Sequence, residues 1–462
     1  MHDYIDKNAF GFIVKFSAAL IFAFFSTTFA AKTAAVFFLS DTEVLPAPLI
    51  VVREEALPTT IQAVPKRSER SFAAGSLEDH IPSAGKFIGI DLVNMELRLY
   101  QNATLIGAHK ILSKGKPGSH WETPSGSYEV KTKEKNHFSS IGRVNMPYSM
   151  QFFGNFFIHG WPTYESGKEV GDGYSGGCIR LSTDDAETVF SFADLGTSLY
   201  IFDREEQIIS TLGLALSDSV ELASEAYLVA DIQSGEVVME SSAGAKMPVY
   251  AITKLMTAIV ANESISFDKE LALQDGEAFS ETFGIFPERM VVGDLLHLLL
   301  LNREVDSAST LERFYGKNNF VDWMNDKARA IGMRTARFAD TNGISKENVA
   351  SADDLFELSR YLYVKKSFIL GITRRPDKII EVAERQFIVL NEHPFVGDES
   401  FRGGIATDAQ EVGKQSMLTF FRVSVGAEKR LFVAILLGSE NAALETRRAI
   451  EEVRLATASN TF

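Results

Sequence analysis

The sequence predicts a multidomain protein, a mostly-β domain followed by an α/β domain, and three observations predict it. The chain has 462 residues, beyond the ~250–300 at which a single core stops growing. From Lys86 the apolar residues alternate with polar ones, the period of half-buried strands. From Ala251 onward, apolar segments of helical period interleave with strand-like runs such as Leu431–Gly438. A sheet with helices packed against it accommodates that mixture. The composition is that of a globular chain, 45% hydrophobic and 23% charged. A formal net charge of −15 argues against binding a phosphate backbone, so nucleic acid is not an expected partner.

Residues 1–40 read as a signal peptide or membrane anchor. Phe16 to Ala31 carry no charge and are bounded by Lys15 and Lys32. A helix apolar on every face belongs in a membrane or a deep core. Sixteen residues rise only ~24 Å, short of a ~30 Å hydrocarbon core, but flanking lysines can snorkel to close the gap. An uncleaved anchor is favoured, and the body of the protein is expected outside the cytoplasm, in the cell envelope. Residues 41–84 hold Pro46, Pro48, Pro58, Pro65 and Pro82 and the run Lys66–Arg70, the composition of a flexible tether.

Residues 85–203 form the mostly-β domain. The segments 86–92, 95–100 and 104–112 are read as strands joined by Asn-containing turns. Thr183–Asp194 is a short amphipathic helix, and residues 198–202 are a closing strand. Residues 204–222 are a connector, and 223–455 the second domain. There residues 226–240 suggest a hairpin, and helices are expected at 251–262, 293–301, 320–331, 352–362 and 442–455.

The chain has one cysteine, Cys178. A single thiol excludes an internal disulfide and a Cys-based zinc cluster. No His or carboxylate cluster has metal-ligand spacing, so no metal or other cofactor is expected. Cys178 lies in SGGCIRL, residues 175–181, nineteen positions after His159 in IHG. A thiol that attacks an amide needs a base, donors for the oxyanion and a group to hold the substrate. His159 can serve as base, with an ordinary pKa near ~6.5. Gly176 and Gly177 allow backbone N–H groups to approach a developing charge. Arg180 carries a planar fork suited to a carboxylate, and shares a face with Cys178 if the segment is extended. Ser175 is placed in a supporting role as a local backbone partner. Tyr148, Phe152, Phe153, Phe156 and Phe157 are read as core and groove wall, His120 and Trp121 as loop residues that could line the groove but are more simply exposed or packed, and His297 as a structural residue in an apolar helix.

These words in this order resemble the L,D-transpeptidases of the YkuD type. The resemblance covers residues 86–203 and includes TPSGSYEV (123–130), MPYSMQFFGNFFIHG (146–160), SGGCIRL and the closing strand. Gly176 stands where many members have a second histidine. The resemblance implies a peptidoglycan enzyme. Cys178 would attack the third residue of a stem tetrapeptide, release D-alanine, and pass the acyl group to an amine as a 3→3 cross-link. His159 would be base and then acid, with the Gly177 and Cys178 amides as oxyanion donors. Water as acceptor would make it an L,D-carboxypeptidase. A scaffold that only binds the wall is the non-catalytic alternative. The expected partners are peptidoglycan stem peptides and, through residues 1–40, the cytoplasmic membrane.

Residues 224–440 resemble the serine D-alanyl-D-alanine carboxypeptidases, penicillin-binding enzymes of peptidase S11 type and serine β-lactamase fold. Those enzymes need S-x-x-K, and the matching residues are Ala251 to Lys254. The S-x-N element falls near Arg303–Val305 and the K-T-G element near Arg402–Gly404. Without an attacking oxygen at Ala251, the domain is expected to be catalytically dead. It remains either a stem-binding module or a packing element.

Overall fold

The computed structural model of the protein describes residues 76–203, 212–214, 221–274, 287–382, 384–407 and 413–459. The segment read as a signal or anchor lies outside the described residues. Among the described residues, no helix is long and apolar enough to cross a membrane.

The first domain is two five-stranded sheets. One has the order β3 (Thr104–Lys110), β2 (Glu96–Gln101), β1 (Lys86–Asp91), β10 (Ser198–Phe202) and β4 (Gly126–Glu129). The other runs β5 (Thr132–Ser139), β6 (Val144–Phe153), β7 (Phe156–His159) and β9 (Ile179–Arg180), with the short β8 (Thr163–Tyr164) beside β6. Most neighbours are antiparallel, but β1 pairs with β10, and β7 with β9, in parallel. Alternation sends Ile88, Ile90 and Leu97 of one sheet and Met150, Phe152, Ile158 and Ile179 of the other into a single apolar cluster. Helix α1 (Thr183–Phe192) follows β9 directly, and its first turn is fixed by Ser182, whose hydroxyl accepts from the Asp185 N–H at 3.0 Å.

The tether expected to run to residue 84 ends earlier. Leu77 is buried, and the His80 ring stacks on Tyr200 with centroids 3.6 Å apart. The connector's described residues, 212–214 and 221–222, make contacts of their own. Leu214 and Leu222 are buried, and the Gly213 N–H donates to Glu236 at 2.9 Å.

The second domain is built on an antiparallel sheet of Val237–Ser241, Ala226–Asp231, Glu428–Ser439, Gln415–Val425 and Phe401–Ala406, in that spatial order. Helix α2 (Thr253–Ser264) is buried at every position. A helix buried on every face lies in the middle of its fold, and its two charged residues, Lys254 and Glu263, find partners there. Other helices span Val292–Leu301, Lys317–Ala330, Ala352–Lys365 and Ala442–Ser459, matching the expected ones within a few residues. Val305–Arg313 and Ser367–Arg374 are further helices, short ones that the apolar period did not reveal. The apolar cluster is continuous from Ile88 of the first domain to Leu437 of the second. The two domains therefore share buried surface, and neither is free of the other.

Candidate active site

The register of β7 on β9 organises the site. Ile158 pairs with Ile179 and His159 with Arg180. Both isoleucines are fully buried in the common core. Alternation then sends Phe157, His159, Cys178 and Arg180 to the opposite face. There Cys178 packs beside Val144, Met146, Phe157 and Val170 in a small separate cluster and keeps partial exposure. His159 is the diagonal neighbour of Cys178 across the two strands.

His159 is 2% exposed. Its Nδ1 lies 2.6 Å from the Gly160 carbonyl. A carbonyl only accepts, so Nδ1 carries the proton and Nε2 has the free lone pair. Burial pushes the imidazole down to about 4, aided by Arg180 and His137 and opposed by the Gly160 carbonyl. The ordinary value of ~6.5 does not survive this environment. Burial also pushes the Cys178 thiol up to about 11, against the Phe157 amide and Arg180. The resting pair is a neutral imidazole and a protonated thiol.

The loop before Cys178 is held on the first domain's own backbone. The Ser175 hydroxyl donates to the Cys178 carbonyl at 2.5 Å and accepts from the Gly177 N–H at 3.0 Å. Ser175 is thus the brace of a turn, and the Gly177 N–H is already engaged. The Gly177 carbonyl accepts from Thr123 at 2.8 Å, and Thr123 accepts from the Gly115 N–H at 2.8 Å. Gly177 has φ +105°, and a Cβ there would sit 2.2 Å from the Phe156 ring. No other residue fits. Gly176 is exposed, with nothing within 4 Å of a notional Cβ. Arg180 lies 5.6 Å from the Trp161 ring, and its buried Nε makes no hydrogen bond among the described residues. A guanidinium stacked on an indole and short of one acceptor is suited to a carboxylate.

The aromatic wall divides in two. Phe152, Phe153, Phe156 and Phe157 are buried. His120 stacks on Phe267 of the second domain, centroids 4.9 Å apart, and Phe153 lies 6.4 Å from Trp323. His297 is buried with Nδ1 2.7 Å from the Gly293 carbonyl, the structural role expected of it.

The second domain's cleft has a different chemistry. Ala251 and Lys254 flank the start of α2, and Lys254 Nζ donates to the Arg303 carbonyl. The Lys254 and Arg303 elements therefore meet as expected. The third element does not. Arg402 folds back on the Glu399 and Phe401 carbonyls at 2.8 and 2.6 Å. Arg303 instead donates to the Ala406 carbonyl at 3.3 Å. Arg303 thus reaches the strand at the Ala406 carbonyl, two residues past Gly404. Arg303 also pairs with Glu392, Nε to Oε2 3.0 Å. Thr253, the nearest aliphatic hydroxyl to the missing serine in sequence, is fully buried.

Residues 85–201 match the family described as the L,D-transpeptidase catalytic domain, and residues 214–408 match the family described as D-alanyl-D-alanine carboxypeptidase. The chain joins a domain of the first family to a domain of the second. A D-alanyl-D-alanine endopeptidase of Pseudomonas aeruginosa is 40% identical over 147 residues, covering 30% of this chain and 47% of that protein. One of Haemophilus influenzae is 28% identical over 199 residues, covering 42% of this chain and 68% of its own. The chain thus spans about half the length of the first of these relatives. Penicillin-binding protein D2 of Listeria monocytogenes, solved in a cefotaxime-bound form, aligns over 52% of this chain and 100% of its own at 22% identity and a TM-score of 0.44.

Asn155 and Thr123 touch the loop that carries Cys178 but have no motif logic of their own. Thr123 opens the TPSG words, and Asn155 sits in a Gly-Asn turn whose signal is only that of a hairpin.

Proposed function

We propose that the protein is a peptidoglycan L,D-transpeptidase of the cell envelope, with Cys178 as nucleophile and His159 as general base. Its second domain has no acyl-transfer activity of its own. The observation that carries this reading is the shared face of His159 and Cys178 across the parallel β7–β9 pair, with Nδ1 engaged by Gly160 and Nε2 free.

In acylation the Cys178 S–H proton passes to His159 Nε2 as Sγ bonds to the carbonyl carbon of the third stem residue. The tetrahedral oxyanion collapses, the C–N bond breaks, and D-alanine leaves with the proton from His159. An amine of a second stem then attacks the thioester and gives a proton to His159. The C–S bond breaks, and the sulfur regains that proton. Because burial opposes both charges, proton transfer accompanies attack rather than preceding it as a stable thiolate. The Cys178 N–H and the open backbone at Gly176 serve the oxyanion. The Gly177 N–H serves only if Ser175 releases it. Arg180 receives a stem carboxylate. The N-terminal apolar segment tethers the enzyme to the membrane.

The test is mass spectrometry of the full chain incubated with a disaccharide-tetrapeptide. A cross-linked dimer with release of D-alanine is expected, and Cys178→Ala should make neither. Free tripeptide alone would reassign the acceptor to water. Unchanged substrate would overturn the enzymatic reading in favour of a wall-binding scaffold.

A further inference from the structure

The Cys178 thiol donates to the Asn155 carbonyl, Sγ to O 3.6 Å. Asn155 belongs to the two-residue turn that joins β6 to β7, with Phe153 paired to Phe156 across it. The turn points into the second domain. The Asn155 N–H donates to the Glu263 carbonyl at 3.3 Å, and its Nδ2 donates to the Ser264 carbonyl at 2.5 Å. Glu263 and Ser264 are the last two residues of α2. The final carbonyls of a helix have no partners within it, so Asn155 caps a helix of the other domain. The fit is close. Gly154 has φ +47°, and a Cβ there would lie 2.5 Å from the Glu263 carbonyl oxygen.

The end of α2 is itself fixed. The Tyr315 hydroxyl donates to the Ser264 carbonyl at 2.6 Å. The Glu263 carboxylate pairs with Lys327 at 2.5 Å and Lys366 at 3.3 Å, and accepts from the Tyr361 hydroxyl. Lys327 and Lys366 reach back to the first domain, to the Tyr128 hydroxyl at 2.7 Å and the Glu122 carbonyl at 3.2 Å.

We propose that Asn155 is a positioning residue for Cys178, and that the carboxypeptidase-type domain, through the terminal carbonyls of α2, is the fixed wall that aims the sulfur. This gives the second domain a role that needs no chemistry of its own. The role rests on Cys178 being the nucleophile, but the coupling can be read without turnover. A carbonyl held against S–H favours the protonated thiol and fixes its rotamer. When the carbonyl loosens, the thiol ionises more readily and points less well.

The experiment measures alkylation of Cys178 by iodoacetamide in the folded full chain from pH 6 to 11, alongside kcat and KM on the tetrapeptide. Asn155→Ala keeps the backbone carbonyl but removes the grip on Ser264. Its alkylation rate at pH 8 should rise about threefold or more, as the hydrogen bond to the thiol weakens. Its kcat should fall about tenfold with KM within about twofold, since misorientation affects the reacting geometry. Tyr315→Phe removes another donor from the same carbonyl without touching Asn155. It should lower stability while leaving the alkylation profile unchanged. Asn155→Ser, smaller in its disturbance, should move alkylation in the same direction should Asn155→Ala not fold. Unchanged alkylation in a folded Asn155 variant overturns the proposal, as does an equal change in Tyr315→Phe. If the wild type turns over no substrate, the transpeptidase reading fails but the alkylation comparison still decides the positioning.

Discussion

The two ends of helix α2 face two sites of opposite fate. At its C-terminal end, Glu263 and Ser264 support a turn whose carbonyl touches the Cys178 thiol, with a buried imidazole on the same sheet face. At its N-terminal end, Ala251 stands where a nucleophile is needed, Lys254 is tied to the Arg303 carbonyl, and Arg303 is paired with Glu392. Both sites sit on intact folds with full cores. On the proposed reading a fold outlives its chemistry, because the residues that pack it are not those that react. The site proposed to act needs little: one sulfur, one nitrogen lone pair, and a backbone turn that only glycine permits.

The largest way to break this contrast is Cys178→Ala. Tetrapeptide turnover should fall by at least about 10³-fold, as expected when a covalent nucleophile is deleted, with the thermal midpoint nearly unchanged. The next is Glu263→Gln, which attacks the join between the domains. It leaves Lys327 and Lys366 buried without their counter-charge, a cost of about 3–5 kcal/mol for a broken buried pair. Burial raises the Glu263 carboxyl, and the two ammonium groups more than offset it, leaving it below its ordinary value. Urea unfolding should show the midpoint fall at constant slope. An unchanged midpoint would mean the domains do not depend on this cluster.

A third test uses pH. The neutral form of His159 is the base, and it is lost only as pH falls through about 4. The acid limb of kcat/KM should therefore lie near that value rather than near 6.5. Stability follows the same groups. His159 and His297 are held at about 4, and His393 at about 3, against 6.5 when exposed. Between those values the unfolded chain binds protons that the folded chain does not, so stability rises with pH in this window and is lost as pH falls below about 6.5. Urea midpoints at pH 4.5 and 7.5 check the sign.

The smallest expected effect is at the dead site. Ala251→Ser restores an oxygen but not a free lysine or the neighbouring polar triplets. In a Cys178→Ala background it should remain unlabelled by fluorescent penicillin. On its own it should leave Cys178 turnover within about twofold, a change too small to signal shared catalysis. Strong labelling would show that the second site lacks only its serine.

Much of this architecture is legible in the sequence because it is local. Period-2 runs mark β1, β2, β3 and β10, and the amphipathic pattern from Thr183 marks α1. His159 and Cys178 stand in two words, IHG and SGGCIRL, that the fold sets side by side through the β7–β9 register. What escapes is long-range. Nothing near Asn155 announces that it caps a helix 108 residues later, beginning the contact at Glu263. Nor does Lys327, on an amphipathic helix, look like a residue with no exposure at all. The shift of His159 to about 4 is a consequence of burial, which only the assembled fold decides. The Arg402–Gly404 triplet shows the same limit: Arg402 turns back on the Glu399 and Phe401 carbonyls, and the strand meets Arg303 at the Ala406 carbonyl. A strand's register relative to a distant helix is set by the sheet, not by its own letters.

The most direct measurement is the intact mass of the full chain after rapid mixing with the disaccharide-tetrapeptide and an acid quench, followed by peptide mapping. The account predicts a tripeptide-stem adduct, the substrate less D-alanine, on Cys178, and no adduct on residues 224–440. No adduct at any quench time, or one carried by a serine or threonine of the second domain, would contradict it.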